Sequence, residues 1–161
     1  MASILDESIV DGPGIRVAVF FQGCRRFCPG CHNPALLPFE GGTPYDVEEL
    51  ARIVLGKLTG IHRGVTFSGG DPLYQADGVA VLIDCLRRIK PAINIWLYTG
   101  FEYEQVSDWP AVCGVDVLVD GPFVQTQRDL MLRFRGSLNQ RIIDVRTSQT
   151  NGQVIEYKLQ G

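Results

Sequence analysis

Apolar residues recur along this chain in two alternating rhythms. Residues 16–21 (Arg16-Val17-Ala18-Val19-Phe20-Phe21) are a near-continuous run of β-branched and aromatic side chains, which predicts a strand buried on both faces. Residues 1–15 end in Asp11-Gly12-Pro13-Gly14 and read as a turn-rich lead into that strand. From Thr43 the period changes. Val47, Leu50, Ile53, Val54 and Leu58 recur at helical spacing, with Thr43 predicted as N-cap, Pro44 at the first helical position, acids in the first turn and Gly60 as the stop. Val65-Thr66-Phe67-Ser68 predicts a second strand. Val79, Leu82, Ile83, Leu86 and Ile89 predict a second amphipathic helix that stops near Pro91.

The alternation continues with strands over residues 94–98 and 115–119 and a short helix over 102–107 between them. Residues 125–135 carry four charges and no clean period, although Leu130, Met131, Leu132 and Phe134 require burial. Residues 141–145 read as a strand, and Asn151-Gly152 as a turn into a last strand over 154–157. Strands alternating with helices predict an α/β fold of βαβ units with a mostly parallel sheet and right-handed crossovers. Functional loops in such folds lie at the carboxyl ends of the strands.

A chain of 161 residues supports one domain with one core, 1–161. No apolar run approaches the length of a membrane span, and the acids of Met1-Ala2-Ser3-Ile4-Leu5-Asp6-Glu7 stand where a secretory leader would be basic. A formal net charge of −3 argues against bulk electrostatic binding to nucleic acid. No nucleic-acid or membrane partner is therefore expected.

Five cysteines form an odd set, and three of them fall within eight residues, Cys24-Arg25-Arg26-Phe27-Cys28-Pro29-Gly30-Cys31. That spacing suits a metal loop in a reducing, cytoplasmic setting better than a disulfide framework. Three thiolates on one loop point to an iron-sulfur cluster with one iron left open, the alternative being a structural zinc site. Zinc normally takes four ligands, and His32, adjacent to Cys31, is poorly placed to be the fourth. Cys85 lies in an apolar helix and reads as a core residue, and Cys113 as a partly buried free thiol.

Two further motifs end predicted strands. Gly69-Gly70-Asp71 is either a tight turn or a place where bare backbone approaches a ligand, with Asp71 adding a polar contact. Asp120 either opens a turn or meets a partner such as a ribose hydroxyl. Arg25, Arg26, Arg128, Arg133, Arg135 and Arg141 form either a docking face or an ordinary scatter of surface charge. His62 is assigned no role.

These motifs together resemble a known family. Val10-Asp11-Gly12-Pro13-Gly14-Ile15-Arg16, Phe21-Gln22-Gly23-Cys24 through Asn33, Ser68-Gly69-Gly70-Asp71-Pro72 and Val119-Asp120-Gly121-Pro122-Phe123 are similar to radical S-adenosylmethionine (SAM) enzymes of the glycyl-radical-activating group. The stretch Arg135-Gly136-Ser137-Leu138-Asn139-Gln140-Arg141, with the short chain, most resembles the branch that activates anaerobic (class III) ribonucleotide reductase. The resemblance implies that Cys24, Cys28 and Cys31 bind a 4Fe-4S cluster whose open iron takes SAM. It also implies that Gly30, Cys31 and His32 lie near the adenine, Gly69, Gly70 and Asp71 near the methionine end, and Asp120 near the ribose. It further implies a low-potential electron donor such as flavodoxin, and no side chain acting as acid or base.

Gly30 stands where many of the family carry an aromatic residue, and the chain is short for a six-unit barrel. The expectation is an incomplete, open (β/α) barrel whose exposed side admits a glycine-bearing loop. Competing readings are an activase of another glycyl radical enzyme such as pyruvate formate-lyase, a small-molecule radical SAM enzyme of the deazaguanine type, and a non-catalytic metal-binding module.

Overall fold

The computed structural model describes residues 1–160. Six strands form one mixed sheet: β1 (Ser3–Ser8), β2 (Ile15–Phe21), β3 (His62–Gly69), β4 (Ile95–Tyr98), β5 (Val117–Asp120) and β6 (Arg141–Asp144). They lie side by side in chain order, so the sheet stays open with β1 and β6 at its edges. The pairings from β2 to β5 are parallel, and the two edge strands are antiparallel.

The crossovers carry α1 (Val47–Lys57), α2 (Ala76–Ile89), α3 (Tyr103–Val106) and α4 (Pro110–Cys113), and α5 (Val145–Asn151) follows β6. The apolar stripes of α1 (Leu50, Val54) and α2 (Val79, Leu82, Ile83, Leu86) enter one core with Val17, Val19, Phe67, Ile95, Leu97 and Leu118 of the sheet. Each such fully buried side chain contributes about 1.5–3 kcal/mol relative to exposure. The opposite face is smaller: Trp96, Val117, Val119 and Ile142 pack with Tyr98, Phe134, Tyr157 and Leu159. Arg16 is buried on this face, stacked 5.6 Å from the Trp96 ring. Its guanidinium donates to Thr66 Oγ1 and to the carbonyls of Val65 and Asn94. Among the described residues no helix is long and apolar enough to cross a membrane.

Several local expectations are corrected. The lead segment is a strand: β1 pairs with β2, but most of its side chains are exposed, so it shows no apolar period. Helix α1 starts at Val47 with Asp46 as N-cap, leaving Thr43 and Pro44 outside it. Residues 154–157 make only a single bridge, Ile143 to Glu156, and α5 occupies residues that carried no helical signal. Asp144 accepts from the Thr147 N–H and opens that helix.

Candidate functional site

Four loops leave the carboxyl ends of the parallel strands β2 to β5 and meet around one cavity of about 530 Å³. Its volume lies in the range of small-ligand sites. Cys24, Cys28, Cys31 and His32 enter it from the loop after β2, Ser68 to Asp71 from β3, Tyr98 to Gly100 from β4, and Gly121 and Phe123 from β5.

The cysteine loop is anchored at its base. The Gly23 and Cys24 N–H groups donate to the Leu36 and Leu37 carbonyls at 2.7 and 2.9 Å, closing residues 24–36 into a loop. Within it the Cys31 N–H reaches the Cys28 carbonyl at 3.1 Å, a turn that brings two thiols to one side. Cys24 is buried and Cys28 and Cys31 are half-buried, all as free thiols. Burial pushes the Cys24 thiol up, while the Arg26 N–H bonded to its Sγ pulls the other way. Arg26 itself lies 4.9 Å over the Phe101 ring, with a buried Nε that has no hydrogen-bond partner. The ring of His32 meets Phe123 edge-on at 5.1 Å.

Gly69, which ends β3, and Gly70 after it allow close packing against that loop. Gly69 has φ 113°, and a Cβ on it would stand 2.3 Å from the Phe21 nitrogen. A Cβ on Gly70 would meet the Gly23 and Leu36 carbonyl oxygens at 2.5 and 2.6 Å. Removing both side chains lets the Gly70 and Asp71 N–H groups bond the Phe21 and Gly23 carbonyls. Asn33 Nδ2 donates to the Gly69 carbonyl from the other side, at 3.4 Å.

The two acids are buried and bound by the protein itself. Asp71 accepts from the Leu73 N–H, the Thr99 hydroxyl and the Gly100 N–H. Burial still outweighs these donors and pushes its carboxyl up. Asp120, 1% exposed, accepts from the Tyr103 N–H and from the Arg141 guanidinium. Arg141 also forks onto Glu104, which holds the Glu104 carboxyl below its ordinary range.

The cavity thus gathers Cys24, Cys28, Cys31, His32, Gly69, Gly70 and Asp71 from the sequence candidates, whereas Gly30, exposed, and Asp120, buried, are not among the residues that line it. Gly30, at φ 74°, faces the Gln125 side chain. Cys85 packs beside the core, and Cys113 is exposed rather than partly buried. Sequence reasoning missed Thr99 and Gly100, although the rule about carboxyl ends applies to β4 as well. It also missed that residues 128–130 and 132–136 line a wall, because that segment has no period to read.

The donor set can be tested against a polynuclear iron-sulfur centre. Among the described residues no three Cys, His, Asp or Glu side chains converge on a single-ion site. A cluster takes each thiolate on a different iron, so it requires thiols around one cavity rather than at one point. Three free thiols on one cavity wall fit that requirement.

Comparison with known proteins agrees with this chemistry. The family described as a 4Fe-4S single cluster domain matches residues 10–143. The chain is 36% identical over 144 residues to the anaerobic ribonucleoside-triphosphate reductase-activating protein of Salmonella typhimurium, covering 86% of this chain and 94% of that one. The protein of the same name from Vibrio cholerae is 40% identical over 141 residues, covering 83% and 90%. That of Enterobacteria phage T4 is 31% identical over 135 residues, covering 83% and 86%.

Proposed function

The chain belongs to the family of anaerobic ribonucleoside-triphosphate reductase-activating proteins, which carry a 4Fe-4S domain, and on that premise we propose that it is a radical SAM activase acting on a class III reductase. In this reading Cys24, Cys28 and Cys31 hold the cluster in a cytoplasmic enzyme, and the open sheet is the incomplete barrel of a radical SAM fold. A cluster held by Cys24, Cys28 and Cys31 and reduced by a low-potential donor such as flavodoxin would supply the one electron for reductive cleavage of SAM to methionine and a 5′-deoxyadenosyl radical, the species that would take a hydrogen atom from a glycine of the reductase.

The protein's own contribution is binding, orientation and exclusion of water. His32, Gly69, Gly70 and Asp71 line the cavity that receives SAM, with Asp71 fixing the loops after β3 and β4 relative to each other. Gly30 and Asp120 act from outside the lining: Gly30 lets the cysteine loop turn at positive φ, and Asp120, held by Arg141, fixes the strand end that carries Gly121 to the cavity. Asp71 and Asp120 are fully engaged with internal donors, so the reading assigns neither a proton-transfer role.

The observation that carries the reading is the sharing of one cavity by three free thiols and the Gly69-Gly70 backbone. The test is anaerobic: reconstitute and reduce the protein, add SAM and a class III reductase, and record the electron paramagnetic resonance spectrum. A glycyl radical that is lost in Cys28→Ala supports it. Accumulation of 5′-deoxyadenosine without a radical would leave SAM cleavage standing and remove the reductase as target.

A further inference from the structure

The five most exposed large apolar side chains of the molecule are Met131, Leu130, Ile9, Val10 and Phe27, from 88% exposed at Met131 to 69% at Phe27. Single exposed apolar residues are normal and scatter over a surface. These do not scatter. Ile9, Val10 and Leu130 line the cavity described above, Met131 follows Leu130, and Phe27 stands between the cavity-lining Arg26 and Cys28. Phe27 is also held at φ 46°, a left-handed conformation that costs a residue with a side chain about 1–2 kcal/mol. The fold therefore carries strain at the residue whose aromatic ring it leaves in water.

The charge around this rim differs from that of the chain as a whole. Arg128 and Arg133 line the same cavity and Arg25 adjoins Arg26, yet none of these makes a salt bridge among the described residues. The neighbouring acids are tied locally: Asp11 accepts from the Ser8 hydroxyl and Asp129 from the Met131 N–H. A rim with unpaired cations in a chain of net charge −3 is complementary to an acidic surface. It opposes pairing with a second copy of itself, which would set like charges face to face.

We propose that this apolar, arginine-bearing rim is the docking surface for the reductase, and that the reductase segment it receives presents apolar side chains flanked by Asp and Glu. The proposal rests on the functional reading above and adds to it where and by what chemistry the protein substrate is held. The partner covers Leu130, Met131, Ile9, Val10 and Phe27, its acids meet the arginines, and its backbone is thereby laid across the mouth of the cavity.

The test measures binding of the anaerobically reconstituted protein to a class III reductase. Met131→Asp places an acid on the rim, and its affinity falls roughly tenfold or more, while Met131→Leu stays near wild type. Wild-type affinity also falls as salt is raised. Met131 is outside the cluster and SAM residues, so Met131→Asp keeps its iron content and its reductase-independent 5′-deoxyadenosine formation. Wild-type affinity in Met131→Asp, or binding indifferent to salt, overturns the docking surface alone. A rim that proves by sedimentation to join two copies, with reductase affinity unchanged in Met131→Asp, overturns it in favour of self-association. No binding or activation of the reductase by the wild type removes the functional reading, and the surface with it.

Discussion

The buried carboxylate of Asp71 accepts the Thr99 hydroxyl at 2.9 Å and, through its other oxygen, the Gly100 N–H at 2.9 Å. These bonds join the loop after β3 to the loop after β4, making one wall of the cavity from two strand ends. Asp71→Asn keeps the volume but turns an NH₂ toward one of the donors, so it costs about 1–3 kcal/mol by thermal or urea unfolding. Because burial raises this carboxyl above its ordinary 3.8, the folded state holds the proton more tightly than the unfolded chain. Its contribution to stability is full below pH 3.8 and declines as pH rises through the raised folded value. Stability against pH of the wild type, compared with Asp71→Asn, measures this directly: the decline is absent in the variant.

Gly69 and Gly70 carry a steric demand that no rotamer change can relieve, because the atoms a Cβ would strike are backbone. Gly69→Ala adds a left-handed φ to a 2.3 Å approach to the Phe21 nitrogen. Gly70→Ala drives the cysteine loop away from β3 through the Gly23 and Leu36 carbonyls. Each change costs on the order of 3 kcal/mol or more, placing it among the severe single substitutions. Urea midpoints of the apoprotein check this without reference to activity. Gly78→Ala, with open space around the glycine, is the control and leaves stability unchanged or improved.

How much of this was legible follows from where each residue is packed. The parallel strands β2 to β5 showed their burial as apolar runs and helices α1 and α2 as period, and the spacing of three cysteines pointed to the loop that the fold places on the cavity. Asp120 illustrates the limit: an acid ending an apolar strand reads equally as a ligand contact, and only the fold reveals that Arg141, distant in sequence, occupies both of its oxygens. Strand β1 was hidden for the opposite reason, being an edge strand with few buried side chains. The wall built by residues 128–130 and 132–136 is held by single contacts such as the Tyr98 hydroxyl on the Phe134 carbonyl, which leave no pattern in a sequence.

Among the described residues Arg141 is the one cation paired with the buried Asp120, and it reaches Glu104 with its two terminal nitrogens. Removing it leaves a carboxylate at 1% exposure without its counter-charge, so Arg141→Met costs about 3–5 kcal/mol. Arg141→Lys recovers part, since an ammonium cannot fork onto two carboxylates. Glu104→Gln alone costs little, because that end of the pair faces solvent. Glu104 also titrates below its ordinary range, so its share of stability is present above that range and is lost as pH falls through the lowered value. A double-mutant cycle between Glu104 and Arg141, run at neutral and acid pH, shows coupling that shrinks at the acid end.

Phe27 separates folding from recognition within one residue. Its φ of 46° is a conformation that glycine adopts freely, so Phe27→Gly relieves about 1–2 kcal/mol of backbone strain. Glycine also loosens the unfolded chain, at a cost of about 0.5–1 kcal/mol. The balance predicts a melting temperature for Phe27→Gly equal to or above that of the wild type, although a large aromatic group has been removed. If the exposed ring serves reductase docking, the same variant binds the reductase more weakly, and Phe27→Tyr, which keeps ring and backbone preference, does not. A drop in melting temperature would instead mean that the ring packs against something in the folded chain. Unchanged reductase affinity would mean that the strain at this position serves the turn of the cysteine loop and not the partner.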